Sequence, residues 1–166
     1  MEPPAISRGQ RTRRRLLDVA RDRFARDGYR GTSIAVISRE AGVGDTTAFV
    51  HFDNKEDLFL TAVDDDLAAM FDEFALLLWD PTAEGLVADR VTASALEVVG
   101  RHPLARRLLA GLEPEFTARV LESASFVALR EARASLIEID HRNGGIRPPP
   151  PPAELADGLV AIVLSV

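Results

Sequence analysis

The 166-residue chain is 46% hydrophobic and 28% charged, contains no cysteine and carries a formal net charge of −6. This length suits one large domain or a small domain fused to a medium one, with ample apolar material for a core. The composition excludes disulfides, thiolate metal sites and cysteine nucleophiles together. No run approaches the ~18 consecutive apolar residues that span a bilayer, so no membrane partner is expected. The opening Met1-Glu2-Pro3-Pro4 lacks a basic-then-apolar export signal, which leaves the cytoplasm as the default location.

The charge is unevenly divided. Up to position 55 there are 11 Lys and Arg against 7 Asp and Glu, and beyond it 9 against 19. A basic head on an acidic body is the footprint of local nucleic-acid contact by a protein whose remainder repels phosphates. A run of solvated helix charges around Arg11–Arg15 would give the same division.

Taken in chain order, residues 9–27 predict an amphipathic helix with Leu17, Ala20 and Phe24 on one face and arginines on the other. Asp27-Gly28 should end it, because glycine tolerates the conformation that closes a helix. Ser33 is a good N-cap for a short second helix that buries Ile34, Ile37 and Ala41. Gly42-Val43-Gly44 breaks that helix, and a third short one follows through about His51, with Phe49 and Phe52 available to pack. Asn54 should cap a long helix with Glu56 and Asp57 in its first turn, at the positive end of its dipole. Its apolar stripe runs Leu58, Ala62, Val63, Leu67, Met70, Phe71, Phe74 and Leu78, and Asp80-Pro81 stops it.

A further helix is expected over about 83–100, then a short segment Leu104–Gly111 after His102-Pro103. Pro114 suits the first turn of a helical run to about Asp140, burying Phe116, Val120, Ala124, Val127 and Ala128. A break around Ser123–Ser125 is compatible with the sequence, although no proline demands it. Asn143-Gly144-Gly145 and the prolines 148–152 form a connector over 143–152 that favours extended polyproline II. A ligand for a proline-recognising domain is the alternative there. The apolar stretch 153–166 follows. With almost no strand-type alternation, the expected fold is all-α, with three short helices in a head over 1–53 and a helical bundle over 54–166.

Catalytic and metal sites find no support. His51, His102 and His141 lack metal-ligand spacing, no glycine-rich phosphate loop is present, and no serine sits in a nucleophile motif. Asp64-Asp65-Asp66 reads as a solvated helix face, since consecutive helical residues point in different directions. No enzyme, cofactor or metal is expected.

Three short helices with glycine at the tight second turn satisfy the helix-turn-helix pattern. The ordered set Gly31-Thr32-Ser33, Ile37, Ala41-Gly42-Val43, Thr47-x-Phe49-x-His51-Phe52 and Lys55-Glu56-Asp57-Leu58-Phe59 resembles the DNA-binding head of the tetracycline-repressor (TetR) family over residues 10–60. The resemblance implies a ligand-responsive repressor that binds a palindromic double-stranded operator as a homodimer, with the third helix in the major groove. Phosphates would be met by Thr32, Ser33, Thr47 and Lys55, and base edges by Asp45, Thr46, Val50 and His51.

Several residues depart from the family pattern. Gly44-Asp45 stands where Ser-Lys is frequent; Asp45 could accept from cytosine N4 or stabilise the start of its helix. Phe49 replaces a common tyrosine, keeping the packing and losing a hydroxyl-to-phosphate bond, and Ala48 replaces a larger aliphatic. No Arg or Lys lies in 44–52, which leaves thymine methyls and DNA shape to be read and Arg11–Arg15 to supply affinity. A regulator-like helical protein acting through protein contacts, without sequence-specific DNA binding, is the alternative reading.

The resemblance also implies a small-molecule inducer bound between the long helices, with Met70, Phe71, Phe74, Trp79, Phe116 and Phe126 as candidate pocket residues. The acidic body favours a cationic or lipophilic inducer. Leu155, Leu159, Ile162, Val163 and Val166 are the candidate dimer contacts.

Overall fold

A computed structural model describes residues 7–78 and 97–131. Trp79, most of the predicted 83–100 helix, the connector 143–152 and the candidate dimer residues Leu155, Leu159, Ile162, Val163 and Val166 lie outside the described residues. The fold is all-α: a helix-turn-helix head followed by a helical body, as the sequence predicts.

Helix α1 spans Arg8–Gly31 and opens with a reciprocal cap. Ser7 Oγ accepts from the Gln10 amide at 3.2 Å, and Gln10 Oε1 accepts from the Ser7 amide at 2.8 Å, so two otherwise orphaned donors are satisfied. Leu16, Leu17, Ala20 and Phe24 are buried. The regular helix breaks where the sequence placed its end, at Gly28 (φ 75°, ψ 170°), and one more turn follows. Thr32 closes that turn by donating its hydroxyl to the Gly28 carbonyl at 2.8 Å.

Helix α2, Ile34–Glu40, starts on Ser33, whose Oγ accepts from the Val36 amide. Ile37 and Ala41 are buried as expected. The turn to the next helix passes through Gly42 at φ 65°, a left-handed conformation that suits glycine. Helix α3 covers Asp45–His51. Phe52 packs inward as expected, whereas Phe49 is 56% exposed and contributes little packing. Ala48 takes the inward position under α3 and is buried there.

Helix α4 spans Lys55–Leu78. Asn54 Oδ1 accepts from the amides of Glu56 and Asp57, both at 2.9 Å. Leu58, Ala62, Val63, Leu67 and Met70 are buried, and Phe59 joins them although the predicted stripe omitted it. Residues 97–101 are helical, and a helix follows over Pro103–Leu109. A 3-10 turn, Pro114–Phe116, leads into a short helix, Thr117–Leu121.

The helical run expected from Pro114 is interrupted near Ser123, where the sequence left a break open, and residues 132–140 lie outside the described residues. The run breaks at Glu122-Ser123, and residues 124–131 form a separate helical stretch. The break changes the phase of the buried face: Phe116 and Val120 are buried as expected, but Ala124, Val127 and Ala128 are exposed and Phe126 points inward. An internal partner compensates for the break, since Asp64 Oδ1 accepts from the Ser125 amide at 3.0 Å and the Asp64 carbonyl accepts from Ser125 Oγ.

The Asp64-Asp65-Asp66 triplet is therefore not a solvated face. Asp64 holds the 124–131 stretch. Asp65 pairs with Arg14 at 3.4 Å and lies 3.9 Å from Arg21. Asp66, only 2% exposed, accepts from the amides of Leu104 and Ala105. The three carboxylates do point in different directions, but each direction meets a partner.

One apolar core runs from Leu16 to Phe126 across the position 53/54 division between head and body. Its centre is aromatic. Phe59 of α4 lies 5.0 Å from Phe24, 5.1 Å from Tyr29 and 4.7 Å from Phe116, and Tyr29 lies 4.6 Å from Phe116. Edge-on and tilted rings at these separations add to plain burial, and they seat α1 directly on the body.

Candidate nucleic-acid interface

The seven residues of α3 differ in exposure, with Thr47 and His51 half-buried. Ala48 is buried and anchors the helix, while Asp45, Thr46, Phe49 and Val50 are exposed. Positions i, i+1, i+4 and i+5 share one face of a helix, so these four side chains form a single outward ridge. Val50 is 78% exposed, the most of the large hydrophobic residues among the described residues. An apolar ridge of Phe49 and Val50 flanked by Asp45 and Thr46 can contact thymine methyls and carries no guanidinium for guanine.

The other candidate residues are placed less uniformly. Ser33 is exposed, with its hydroxyl accepting at the start of α2. Thr47 is half-buried. Thr32 is buried, and its hydroxyl proton is committed to the Gly28 carbonyl. His51 is half-buried against the first turn of α1, its Cε1 within 4 Å of where a Cβ on Gly9 would stand. Lys55 is half-buried, with Nζ 4.2 Å from the Tyr29 ring centroid. Burial pushes the Lys55 ammonium below the usual lysine range, and the charge of Glu113 opposes that shift. The ammonium thus sits at the seam between head and body.

The arginine face of α1 is partly spent on internal pairs. Arg13 stacks over Phe52 at 5.0 Å. Arg14 pairs with Asp18 and Asp65. Arg23 ties α1 to α2 through both oxygens of Glu40, and this pairing holds the Glu40 carboxyl below its ordinary range. Arg8, Arg11 and Arg15 are exposed on the same helix. The α3 ridge itself carries no Arg or Lys, whereas α1 presents these exposed arginines.

The body carries a half-open apolar recess between α4 and the 103–131 segment, with a cavity volume of only about 30 Å³. Its walls are mainly aliphatic, with Leu67, Leu108, Leu109, Val120 and Leu121 beside Thr117 and Phe126. Of the candidate pocket residues, Phe126 lines the recess, and Phe71 packs edge-on against it at 5.4 Å. Met70 is core and Phe74 is half-buried at the core's edge. Phe116 lies in the aromatic centre against Tyr29 and Phe59, away from the recess walls. Of the described candidates only Phe116 is drawn into the joint between head and body, and most of the recess wall is leucine at 67, 108, 109 and 121.

Glu113 had no part in the sequence reading. It is 4% exposed and accepts from the Tyr29 amide at 3.0 Å and from Arg107 Nε at 2.8 Å. Its one available signal was an acidic residue directly before Pro114 in an otherwise apolar-patterned segment. Among the described residues no cluster of metal-ligating side chains occurs, and no helix is long and apolar enough to cross a membrane.

Residues 16–62 match the family model described as bacterial regulatory proteins, tetR family. The whole fold is similar to solved structures. One is a protein described as a tetR family transcription regulator from Shewanella sp. PV-4, at 22% identity, covering 93% of this chain and 82% of that one, with TM-score 0.66. A second is the fatty acid degradation regulator FadR from Bacillus halodurans, at 18% identity, covering 92% and 80%, with TM-score 0.69. A third is the transcriptional regulator FadR from Bacillus subtilis in complex with stearoyl-CoA, at 16% identity, covering 92% and 83%, with TM-score 0.67. At these identities the structural likeness establishes the fold, and the match over 16–62 identifies the segment that carries the α3 ridge as a tetR-family head.

Proposed function

We propose that this protein is a ligand-responsive repressor that binds a palindromic operator as a homodimer, with residues 1–53 as the DNA-binding unit and 54–166 as the sensing and dimerising unit. The observation that carries the reading is the α3 ridge. Phe49 and Val50 are large apolar side chains left in solvent on a helix that a single buried alanine anchors, an arrangement with no use in the core. Placed in a major groove, the ridge reads thymine methyls and groove shape. Ser33, Thr47, Lys55 and the exposed arginines of α1 meet the phosphates, which sets affinity and orientation.

The effector in this reading is a small lipophilic molecule that enters the recess beside Leu108 and Phe126; the stearoyl-CoA bound to the Bacillus subtilis neighbour is an aliphatic precedent in the same fold. Dimer contacts fall to Leu155, Leu159, Ile162, Val163 and Val166. No cofactor or metal enters the mechanism.

Selection of bound duplexes from a random library tests operator, half-site spacing and specificity together. The expected product is an inverted repeat rich in A·T steps, with affinity falling by about 0.9 log units per log unit of salt for each phosphate contacted. A weak, salt-insensitive response would instead favour action through protein contacts, the reading that exposed Asp45 and the lack of a cation in 44–52 would support.

A further inference from the structure

Gly28 leaves the helical conformation at φ 75°, ψ 170°, and the amide of the next residue, Tyr29, is held from outside the helix. Its acceptor comes from 84 residues further along the chain: Glu113 Oε1, at 3.0 Å, on a carboxylate that is 4% exposed. A buried carboxylate needs a countercharge, and Arg107 supplies it at 2.8 Å. The fit around Gly28 is close. A Cβ there would stand 2.9 Å from Glu113 Oε1 and 2.5 Å from Arg107 Nη2. Tyr29 in turn carries Lys55 over its ring and packs on Phe116.

We infer that Glu113 is the positioning residue that fixes the end of α1, and with it Lys55, in the attitude that binds DNA. The inference rests on the DNA-binding reading above. Glu113 touches no nucleic acid in this scheme and acts through the Tyr29 amide. The segment that holds it also walls the recess, through Leu108 and Leu109 on one side of it in sequence and Thr117 and Val120 on the other. Any molecule that displaces those walls pulls on the same carboxylate.

The sign of the effect separates this role from plain electrostatics. Removing a negative charge near a DNA-binding head should strengthen binding to a polyanion. Loss of the latch should weaken it. Glu113→Ala in the full chain is expected to lower affinity for a random-sequence duplex by about ten-fold, the factor carried by a charge-assisted hydrogen bond. It should also reduce the log–log salt slope by about 0.9, one phosphate contact, as Lys55 loses its seat. Glu113→Gln keeps a carbonyl oxygen for the Tyr29 amide at nearly the same volume, so it should recover most of both quantities and keep the fold if the alanine variant does not.

Equal or tighter binding by Glu113→Ala, or a glutamine variant as weak as the alanine one, would overturn the proposal. Hydrogen exchange at the Tyr29 amide gives a readout independent of DNA: slow in the wild type, fast in Glu113→Ala and slow again in Glu113→Gln. Free exchange of that amide in the wild type would overturn the latch by itself. A wild-type protein that binds no duplex would overturn the DNA reading while the exchange pattern still decided the role of Glu113.

Discussion

Asp66 and Ala105 meet across the body, where Asp66 Oδ2 accepts the Ala105 backbone amide at 2.9 Å. The same oxygen takes the Leu104 amide at 3.1 Å, and Oδ1 lies 3.2 Å from His102 Nδ1. A single α4 carboxylate therefore satisfies the first turn of the Pro103–Leu109 helix, whose N-cap residue His102 supplies no side-chain cap. Orphaned N–H groups at a helix start are costly when water cannot reach them. Asp66→Ala should destabilise the protein by about 3 kcal/mol in urea denaturation, in the range set by buried donors left without partners. Asp66→Asn, which retains an acceptor oxygen, should lose clearly less. Equal losses for the two variants would mean that volume matters here and hydrogen bonding does not.

This contact also marks where the sequence stopped being informative. Caps and turns in the head are local, so Ser33, Asn54, Gly28 and Gly42 could be placed from neighbours within a few positions, and the order of helices α1 to α4 followed. Asp66 caps a helix 38 and 39 positions away, and Glu113 reaches back 84. Nothing in a 3.6-residue period distinguishes such a carboxylate from a solvated one, and the aspartate triplet was read accordingly. The same limit explains why a break around Ser123–Ser125 could be left open in the sequence but not decided. The break at Glu122-Ser123 carries no proline or glycine, and it is satisfied by Asp64 from another helix. In the interface, exposure separates residues that spacing grouped: Phe49 and Val50 project, whereas Thr32 is buried with its hydroxyl bonded to the Gly28 carbonyl.

Gly28 and Gly42 both take positive φ, yet they should respond differently to alanine. Gly28 combines φ 75° with ψ 170°, a region that is essentially glycine's alone. It is buried, and an added Cβ would press on Arg107 and Glu113. Gly42 at φ 65° meets only an Arg15 guanidinium, the end of a flexible side chain, at 3.0 Å. Gly28→Ala should therefore cost about 3 kcal/mol, and Gly42→Ala about 1 kcal/mol, the usual penalty of the left-handed region. Thermal unfolding of the two variants side by side checks the order.

Ser38 in α2 is fully buried, and its hydroxyl has no hydrogen-bond partner among the described residues. A buried polar atom that gave up water for nothing is a net cost, and serine is a weaker helix former than alanine. Ser38→Ala should raise stability by about 1 kcal/mol, seen as a higher urea midpoint with an unchanged m-value. A destabilised alanine variant would show that the hydroxyl contributes a contact that outweighs its desolvation.

The acid limb of stability should respond to Arg23. Its hydrogen bonds to Glu40 hold that carboxyl below its ordinary value of 4.5. A group whose folded pKa is lowered stabilises the fold above its unfolded pKa, and the contribution disappears as pH falls through the folded one. The Arg23–Glu40 link between α1 and α2 should therefore be fully present near neutral pH and be lost progressively below about pH 4.5. Arg23→Gln should lower stability at pH 7 and leave it nearly unchanged at pH 2–3. The pair is solvent-accessible, so the difference should be small and should shrink further in 1 M salt. A gap between variant and wild type that persisted at pH 2–3 would assign the role of Arg23 to the packing of its stem.

Phe49 and Val50 separate recognition from stability. Both are exposed, so Val50→Ala should leave the unfolding midpoint almost unchanged, within about 0.5 kcal/mol. If the ridge reads thymine methyls, truncating Val50 removes apolar contact worth about 1 kcal/mol, or roughly five-fold in affinity, on a scale of about 0.8 kcal/mol per buried methylene. Replacing thymine by uracil at the contacted position of a selected duplex removes the other half of the same contact. The wild type should then lose a similar factor, and Val50→Ala should lose little more on the uracil duplex than on thymine. Such non-additivity is the signature of a shared contact. Independent, additive losses would show that Val50 and the thymine methyl do not touch, and base discrimination would then have to come from groove shape or from the polar end of the ridge at Asp45 and Thr46.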